Sequence, residues 1–161
     1  MTLIQNIDSR ELLDSQGNAT LECDVALECG ALGRAAAVVG VPNEKLDDDP
    51  KRYWGKGVGM ALSNVRDLVA TQLRGMDALN QAGVDRTLEN LESIGGNSSL
   101  AVSLAVAQAA ALAVELPLCR YLGGVNTRRL PNPIVSVAHT HCHCHSPDFF
   151  SVPNRSSVPI R

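Results

Sequence analysis

From Leu100 to Val114 the chain is apolar except at Ser103 and Gln108, so a helix formed there is apolar nearly all round and has to be buried on most sides. The stretch Asn97–Gly124 that contains it predicts the central helix of a domain. A short helix follows, with Pro117 at its first position and Gly123-Gly124 as its stop. The abundance of alanine favours helix over strand. A membrane span needs about 18 or more apolar residues. This run closes at Glu115 and Pro117 after about 15, which predicts a core helix and no membrane partner.

The first 40 residues carry a different period. Thr2 to Leu13 is apolar-rich and ends at Asp14-Ser15-Gln16-Gly17-Asn18, a cluster of turn formers, which predicts a strand and a reversal. In 19–27, Leu21, Cys23, Val25 and Leu27 alternate with Thr20, Glu22, Asp24 and Ala26, the signature of a half-buried strand. Glu28-Cys29-Gly30 turns the chain, and Ala31 to Val39 supplies a third strand. Three strands joined by short turns make an antiparallel meander with one face in need of cover.

Helices between residue 55 and residue 124 are the source of that cover. Gly40 to Trp54 has the composition of a loop, and its Asp47-Asp48-Asp49 run lacks the alternating ligands and distal Glu of an EF-hand, so it reads as a solvated acidic loop. Gly55-Lys56-Gly57-Val58 opens a helix with Val58, Ala61, Leu62, Val65, Leu68, Val69 and Leu73 at helical spacing, stopped at Arg74-Gly75. Without Walker spacing the GKG is a tight helix entry, not a phosphate loop. Asp77 to Leu91 predicts a weaker helix with Val84, Leu88 and Leu91 on one face, and Asn97 or Ser98 is placed to cap the central helix. The fold class is therefore α+β, a three-stranded antiparallel meander followed by a helical bundle.

With 161 residues, 45% of them hydrophobic, the chain holds one core, or one domain plus the remnant of another. A net charge of −3 with scattered lysines and arginines gives no basic stripe, which argues against nucleic acid as a partner. Met1 to Gln5 has no basic run, and no signal-peptide segment comes after it, which makes the cytoplasm the expected compartment. Five irregularly spaced cysteines, Cys23, Cys29, Cys119, Cys142 and Cys144, do not form a disulfide framework and are expected to be reduced.

Several segments then occur in a telling order. Arg10-Glu11-Leu12-Leu13-Asp14-Ser15-Gln16-Gly17-Asn18-Ala19-Thr20 resembles the opening RE-I-x-DSRGNPT of the enolase family. Gly33-Arg34-Ala35-Ala36-Ala37, Arg52-Tyr53-Trp54-Gly55-Lys56-Gly57-Val58 and Leu100-Ala101-Val102-Ser103-Leu104-Ala105 come in the same order as they do there. Pro117-Leu118-Cys119-Arg120-Tyr121-Leu122-Gly123-Gly124 and Leu130-Pro131-Asn132-Pro133 are similar to its PLYRYLGG and LPVP. The resemblance implies an enolase N-terminal domain over 1–130, with 131–161 a remnant of the barrel start or a disordered tail. It also implies the family reaction, dehydration of 2-phosphoglycerate to phosphoenolpyruvate in glycolysis. In that superfamily a lysine or histidine base acts beside Mg²⁺ that stabilises an ene-diolate.

The departures from the family carry their own expectations. The family's mobile lid PSGASTG is replaced by Val38-Val39-Gly40-Val41-Pro42-Asn43-Glu44, and the lid serine that reaches the second Mg²⁺ falls on Pro42. A barrel of eight strand–helix units needs about 250 residues, and only about 30 lie beyond Leu130. The family's catalytic lysine, acid glutamate, metal carboxylates and phosphate-binding arginine are thus expected outside this sequence, leaving no catalytic residue within it and a chain inactive alone. Partnership with a full-length enolase or a homodimer is the expected association. Aligned from Pro133, His143 falls on the family's substrate-binding histidine; aligned from Pro153, Asp148 falls on the glutamate of QEFM.

All four histidines lie in His139-Thr140-His141-Cys142-His143-Cys144-His145. Imidazole and thiolate are good zinc ligands, so a small metal-binding module using His139, His141, Cys142, His143, Cys144 and His145 is the alternative reading. Strict alternation puts histidines and cysteines on opposite faces of an extended chain, whereas a structural zinc site needs four ligands that converge.

Overall fold

The computed structural model describes residues 1–14, 17–37, 51–91, 93–125 and 127, and the backbone of 134–136 and 149–151. The period-two segments form β1 (Ile4–Leu13), β2 (Ala19–Leu27) and β3 (Leu32–Ala36), an antiparallel sheet in the order β1-β2-β3. Its register sets Arg10 opposite Glu22 and Asp24 opposite Arg34. That parity sends Ile7, Leu21, Cys23, Val25 and Leu27 into the core. Thr20 departs from the expected polar face: it is buried, and its hydroxyl donates to the Ala37 carbonyl at 2.8 Å, continuing the β2–β3 contact past the last strand pair.

The buried face is covered mainly by α4 (Gly96–Ala113), which packs on β2 and β3 with Ala101, Val102, Ala105, Val106, Ala109 and Ala110 inaccessible to solvent. Small side chains let the helix axis come close, and Gly33 is where the approach is tightest. A Cβ there would lie 2.1 Å from the Ala105 carbonyl oxygen, which no real side chain tolerates. The helix is 18 residues long, beyond the apolar run of about 15 in the sequence, and by length and composition could cross a membrane; 56% of it is buried inside the protein.

The helix entered at Gly55-Lys56-Gly57-Val58 is not uniform. α1 (Gly59–Asn64) and α2 (Ala70–Leu73) are joined by a π-helical turn over Val65–Val69. Its buried residues Ala61, Val65, Val69 and Leu73 recur every fourth position, which on a regular helix of 3.6 residues per turn drifts off the core. The wider turn absorbs the drift.

α3 (Gln81–Glu89) begins four residues later than the sequence suggests. Asp77 is committed elsewhere: it bridges Leu3 at the sheet edge, and its carboxylate accepts from the Thr2 hydroxyl at 2.7 Å and the Leu79 amide at 3.0 Å. Asn80 then caps the helix, accepting from the Gly83 amide at 3.1 Å.

At the start of α4 the expected capping residues are not the cap. Gly95 is, and Asn97 and Ser98 are buried inside the first turn. Pro117 likewise stands just outside α5 (Leu118–Gly123), extended at ψ 142°, with its carbonyl accepting from Arg120 and Tyr121. Between α4 and α5 the chain turns at Glu115, whose φ is 56°. The Leu116 amide donates to Ala111 and the Glu115 amide to Leu112, which is the Schellman pattern with glutamate at the left-handed position.

Met1–Val125 forms one compact unit and Asn126–Arg161 another. In the second, β4 (Ile134–Ser136) and β5 (Phe149–Ser151) pair antiparallel, Val135 opposite Phe150.

Candidate functional site

On the outer face of the sheet the register brings four charges together. Asp24 on β2 accepts two hydrogen bonds from Arg34, at 2.6 and 2.8 Å, and two from Arg10, at 3.0 and 3.4 Å. Glu22 pairs with the same two arginines. Donation by Arg34, and then by Arg10, holds the Asp24 carboxyl below the usual carboxylate range, while both guanidiniums are held above theirs by the same bonds, Arg34 chiefly through Asp24 and Arg10 through Asp24 and Glu22. Every charge in this lattice is answered by its neighbour, so it presents neither a free acid nor a free base.

At the end of β1, Glu11 keeps 15% of its side chain exposed and gathers two partners from the stretch that leads into α1. Arg52 donates to it at 2.9 Å, and the Tyr53 hydroxyl donates as well; that bond to a carboxylate pushes the Tyr53 phenol above its ordinary pKa. The grip coincides with a left-handed turn, Tyr53–Gly55, in which Tyr53 has φ 47°, Trp54 φ 55° and Gly55 φ 77°. Two consecutive non-glycine residues in this region are strained by of order 1–3 kcal/mol each, and such a conformation persists only where neighbours hold it. Here the Gly55 amide donates to Arg52 and the Lys56 amide to Tyr53, inside the anchor that Glu11 supplies.

The turn holds Trp54 out with 89% exposure. Beside it lies an open cavity of about 280 Å³ lined by Gly17, Asn18, Tyr53, Trp54 and Lys56. The left-handed turn was not legible in the sequence, because Arg-Tyr-Trp-Gly reads as the end of a loop.

A second polar cluster joins α3 to α4. The Ser103 hydroxyl donates to Asp85 at 2.7 Å, and the Gln81 amide donates to the same oxygen at 3.0 Å. This accounts for the serine inside the apolar run: it fastens the two helices.

Among the described residues no group of three or more His, Cys, Asp or Glu is placed to hold a metal ion. Magnesium needs several converging oxygen ligands, and the carboxylate pair on the sheet, Glu22 and Asp24, is already occupied by arginines. The described residues do not fit that cation. His139, His141, Cys142, His143, Cys144, His145 and Asp148 lie outside the described residues, as does Pro42, and so does the 40–50 stretch with its three aspartates. Cys23 is buried; Cys29 and Cys119 are exposed.

Comparison with known proteins matches residues 4–122 to the family model for the N-terminal domain of enolase. Enolase 2 of Pseudomonas syringae pv. syringae (strain B728a) is 47% identical over 148 residues, covering 84% of this chain and 35% of that protein. Enolase 2 of Pseudomonas syringae pv. tomato (strain ATCC BAA-871 / DC3000) is 46% identical over the same coverage. The chain therefore spans about a third of the length of the curated relatives it matches.

Proposed function

Since this chain belongs to the enolase family, we propose that its first 130 residues serve as the N-terminal domain of a phosphopyruvate hydratase, the lyase that dehydrates 2-phosphoglycerate to phosphoenolpyruvate in glycolysis. The observation that carries this is the family-model match over 4–122, together with 47% identity to a named enolase over 148 aligned residues. The agreement of sheet and helices with the expected meander and bundle supports it.

The 161 residues by themselves do not turn over substrate. Glu11, Glu22 and Asp24 are tied to arginines, no metal-ligating group forms among the described residues, and proline occupies the place of the family's lid serine. Magnesium in this family stabilises the ene-diolate, and the described part of this chain offers it no seat. The role left to the domain is to associate, as a homodimer or with a complete enolase, in the cytoplasm.

The test is a phosphoenolpyruvate assay on two proteins. The purified chain alone is expected to give no conversion of 2-phosphoglycerate. The second protein joins this chain to the part of the Pseudomonas syringae Enolase 2 beyond the matched stretch, and carries Pro42→Ser to restore a lid hydroxyl; it is expected to dehydrate the substrate. Turnover by the chain alone defeats the claim of inactivity. A folded but inactive Pro42→Ser fusion defeats the claim that this is a working enolase N-terminal domain.

A further inference from the structure

We infer that the open cavity beside Trp54 is a binding site for a small aromatic carboxylate, whose ring lies on the exposed indole while its carboxylate pairs with Lys56. The inference goes beyond the enolase reading and does not depend on it.

Two rims line the cavity, and hydrogen bonds within the protein fix both. One is the β1–β2 turn, which contributes Gly17 and Asn18. There the Asp14 carboxylate accepts from the Asn18 amide at 2.7 Å and from its side-chain nitrogen at 3.3 Å, and the Gly17 amide donates to the Asp14 carbonyl at 3.1 Å. The other rim is the left-handed turn, with Tyr53, Trp54 and Lys56. Glu11 engages the Tyr53 hydroxyl, and the Lys56 amide donates to the Tyr53 carbonyl at 3.1 Å. Walls held in this way lose little freedom when a ligand enters.

The strain of the turn and the charge of the lining select the ligand. Tryptophan is highly buried on average, yet two non-glycine residues take left-handed geometry here with the indole left 89% exposed at the cavity's edge. A loop that had only to enter α1 does not need this arrangement, whereas a surface that stacks on a flat ring does. Lys56 is the charged residue of the lining, and among the described residues no carboxylate pairs with it. The acids nearby are engaged, Glu11 by Arg52 and Tyr53 and Asp14 by Asn18. An ammonium beside the indole repels a cationic ligand and attracts an anionic one, so this is not a cation–π site. The volume of about 280 Å³ falls just below the range of pockets for drug-sized molecules, which suits one ring and its carboxylate and not a nucleotide.

The experiment follows the indole N–H of Trp54, the sole tryptophan, in proton–nitrogen correlation spectra of the 161-residue chain. Sodium benzoate at constant ionic strength is expected to move this resonance saturably, with a midpoint of about 1 mM. The Asn18 side-chain amide and the backbone amides of Tyr53 and Lys56 should move with it. Benzyl alcohol has the ring without the charge and should need about threefold to fivefold more, the worth of an exposed ion pair. Acetate has the charge without the ring and should give no saturation. Lys56→Gln should weaken benzoate by the factor that benzyl alcohol shows and leave benzyl alcohol itself unchanged, a cycle that isolates the pair. Lys56 is exposed, the remaining resonances report the fold of the variant, and the three probes on the unaltered chain are a test that needs no variant. A shift that rises linearly with benzoate, or equal midpoints for benzoate and benzyl alcohol, overturns the inference. Saturation by acetate overturns it too, as do benzoate shifts at the Arg34 guanidinium in place of the cavity residues.

Discussion

Gly33 on β3 and Ala109 on α4 meet without room for another carbon: a Cβ on Gly33 would lie 2.8 Å from the Ala109 Cβ and 2.4 Å from its backbone nitrogen. Both obstacles belong to the helix, and one of them is backbone, so no rotamer change relieves the clash. Gly33→Ala is expected to destabilise the domain by about 3 kcal/mol, at the upper end of overpacking costs. Urea unfolding monitored by circular dichroism measures it; a loss under about 0.5 kcal/mol would mean that α4 can shift outward freely.

Glu115 gives the opposite sign. It occupies the left-handed position of a Schellman turn that glycine usually fills, at φ 56°. Glu115→Gly removes the Cβ strain at the cost of some unfolded-chain entropy, for a net gain of about 0.5–1 kcal/mol. A raised thermal midpoint checks it, and a lowered one would show that the glutamate side chain holds the turn by contacts of its own.

The Glu11–Tyr53 bond predicts an alkaline signature. Tyr53 is held above its ordinary pKa by donating to Glu11, so the stability this bond contributes is present below the unfolded tyrosine value of about 10 and lost as pH rises through the folded value. In an ultraviolet titration of phenolate absorbance, one tyrosine should ionise late. Glu11→Gln should move that step down, and with the anchor weakened the emission of Trp54, the sole tryptophan, should change. A titration unaltered by Glu11→Gln would place the cause elsewhere.

Asp24 predicts an acid signature. Its carboxyl is held low, first by Arg34, so the stability it contributes is present above the unfolded carboxylate value of about 3.9 and lost as pH falls through the folded value. At pH 7 Asp24→Asn should lower the thermal midpoint modestly, because the arginine arms are about half exposed and solvent screens the pairs. The gap to the parent should close as the pH is taken below the folded value, and added salt at pH 7 should narrow it. A gap that persists in acid would mean that the substitution acts through packing.

Most of the fold was legible because it rests on periodicity. Leu21, Cys23, Val25 and Leu27 alternate and are buried, and the run at Leu100–Val114, apolar but for Ser103 and Gln108, falls in the central helix up to Ala113. The misreadings share one cause: a local signal lost to a tertiary demand. Thr20 looks outward-facing by parity but bonds to Ala37 inside; Asp77 looks like the start of a helix but is committed to Thr2 and Leu79; Asn97 and Ser98 look like caps but are packed within the first turn. The π-helical turn was foreshadowed by a spacing of four from Ala61 to Leu73, a period that a regular helix does not keep. At the candidate site, Glu11 meets Arg52, 41 residues further along the chain, and its neighbour Tyr53, and no pattern along one segment reports such a conjunction.

The separation between the sheet and its cover bears on how the protein is made. β3 ends at Ala36, whereas α4 is not finished until Ala113. About 75 residues must emerge in between, which at ~5–20 residues per second takes roughly 4–15 s on the ribosome. Hairpins form in microseconds, so for that interval the nascent chain presents a paired sheet with a naked apolar face. This is the state that a co-translational chaperone would engage, and the period in which neighbouring polysome chains would be most prone to aggregate.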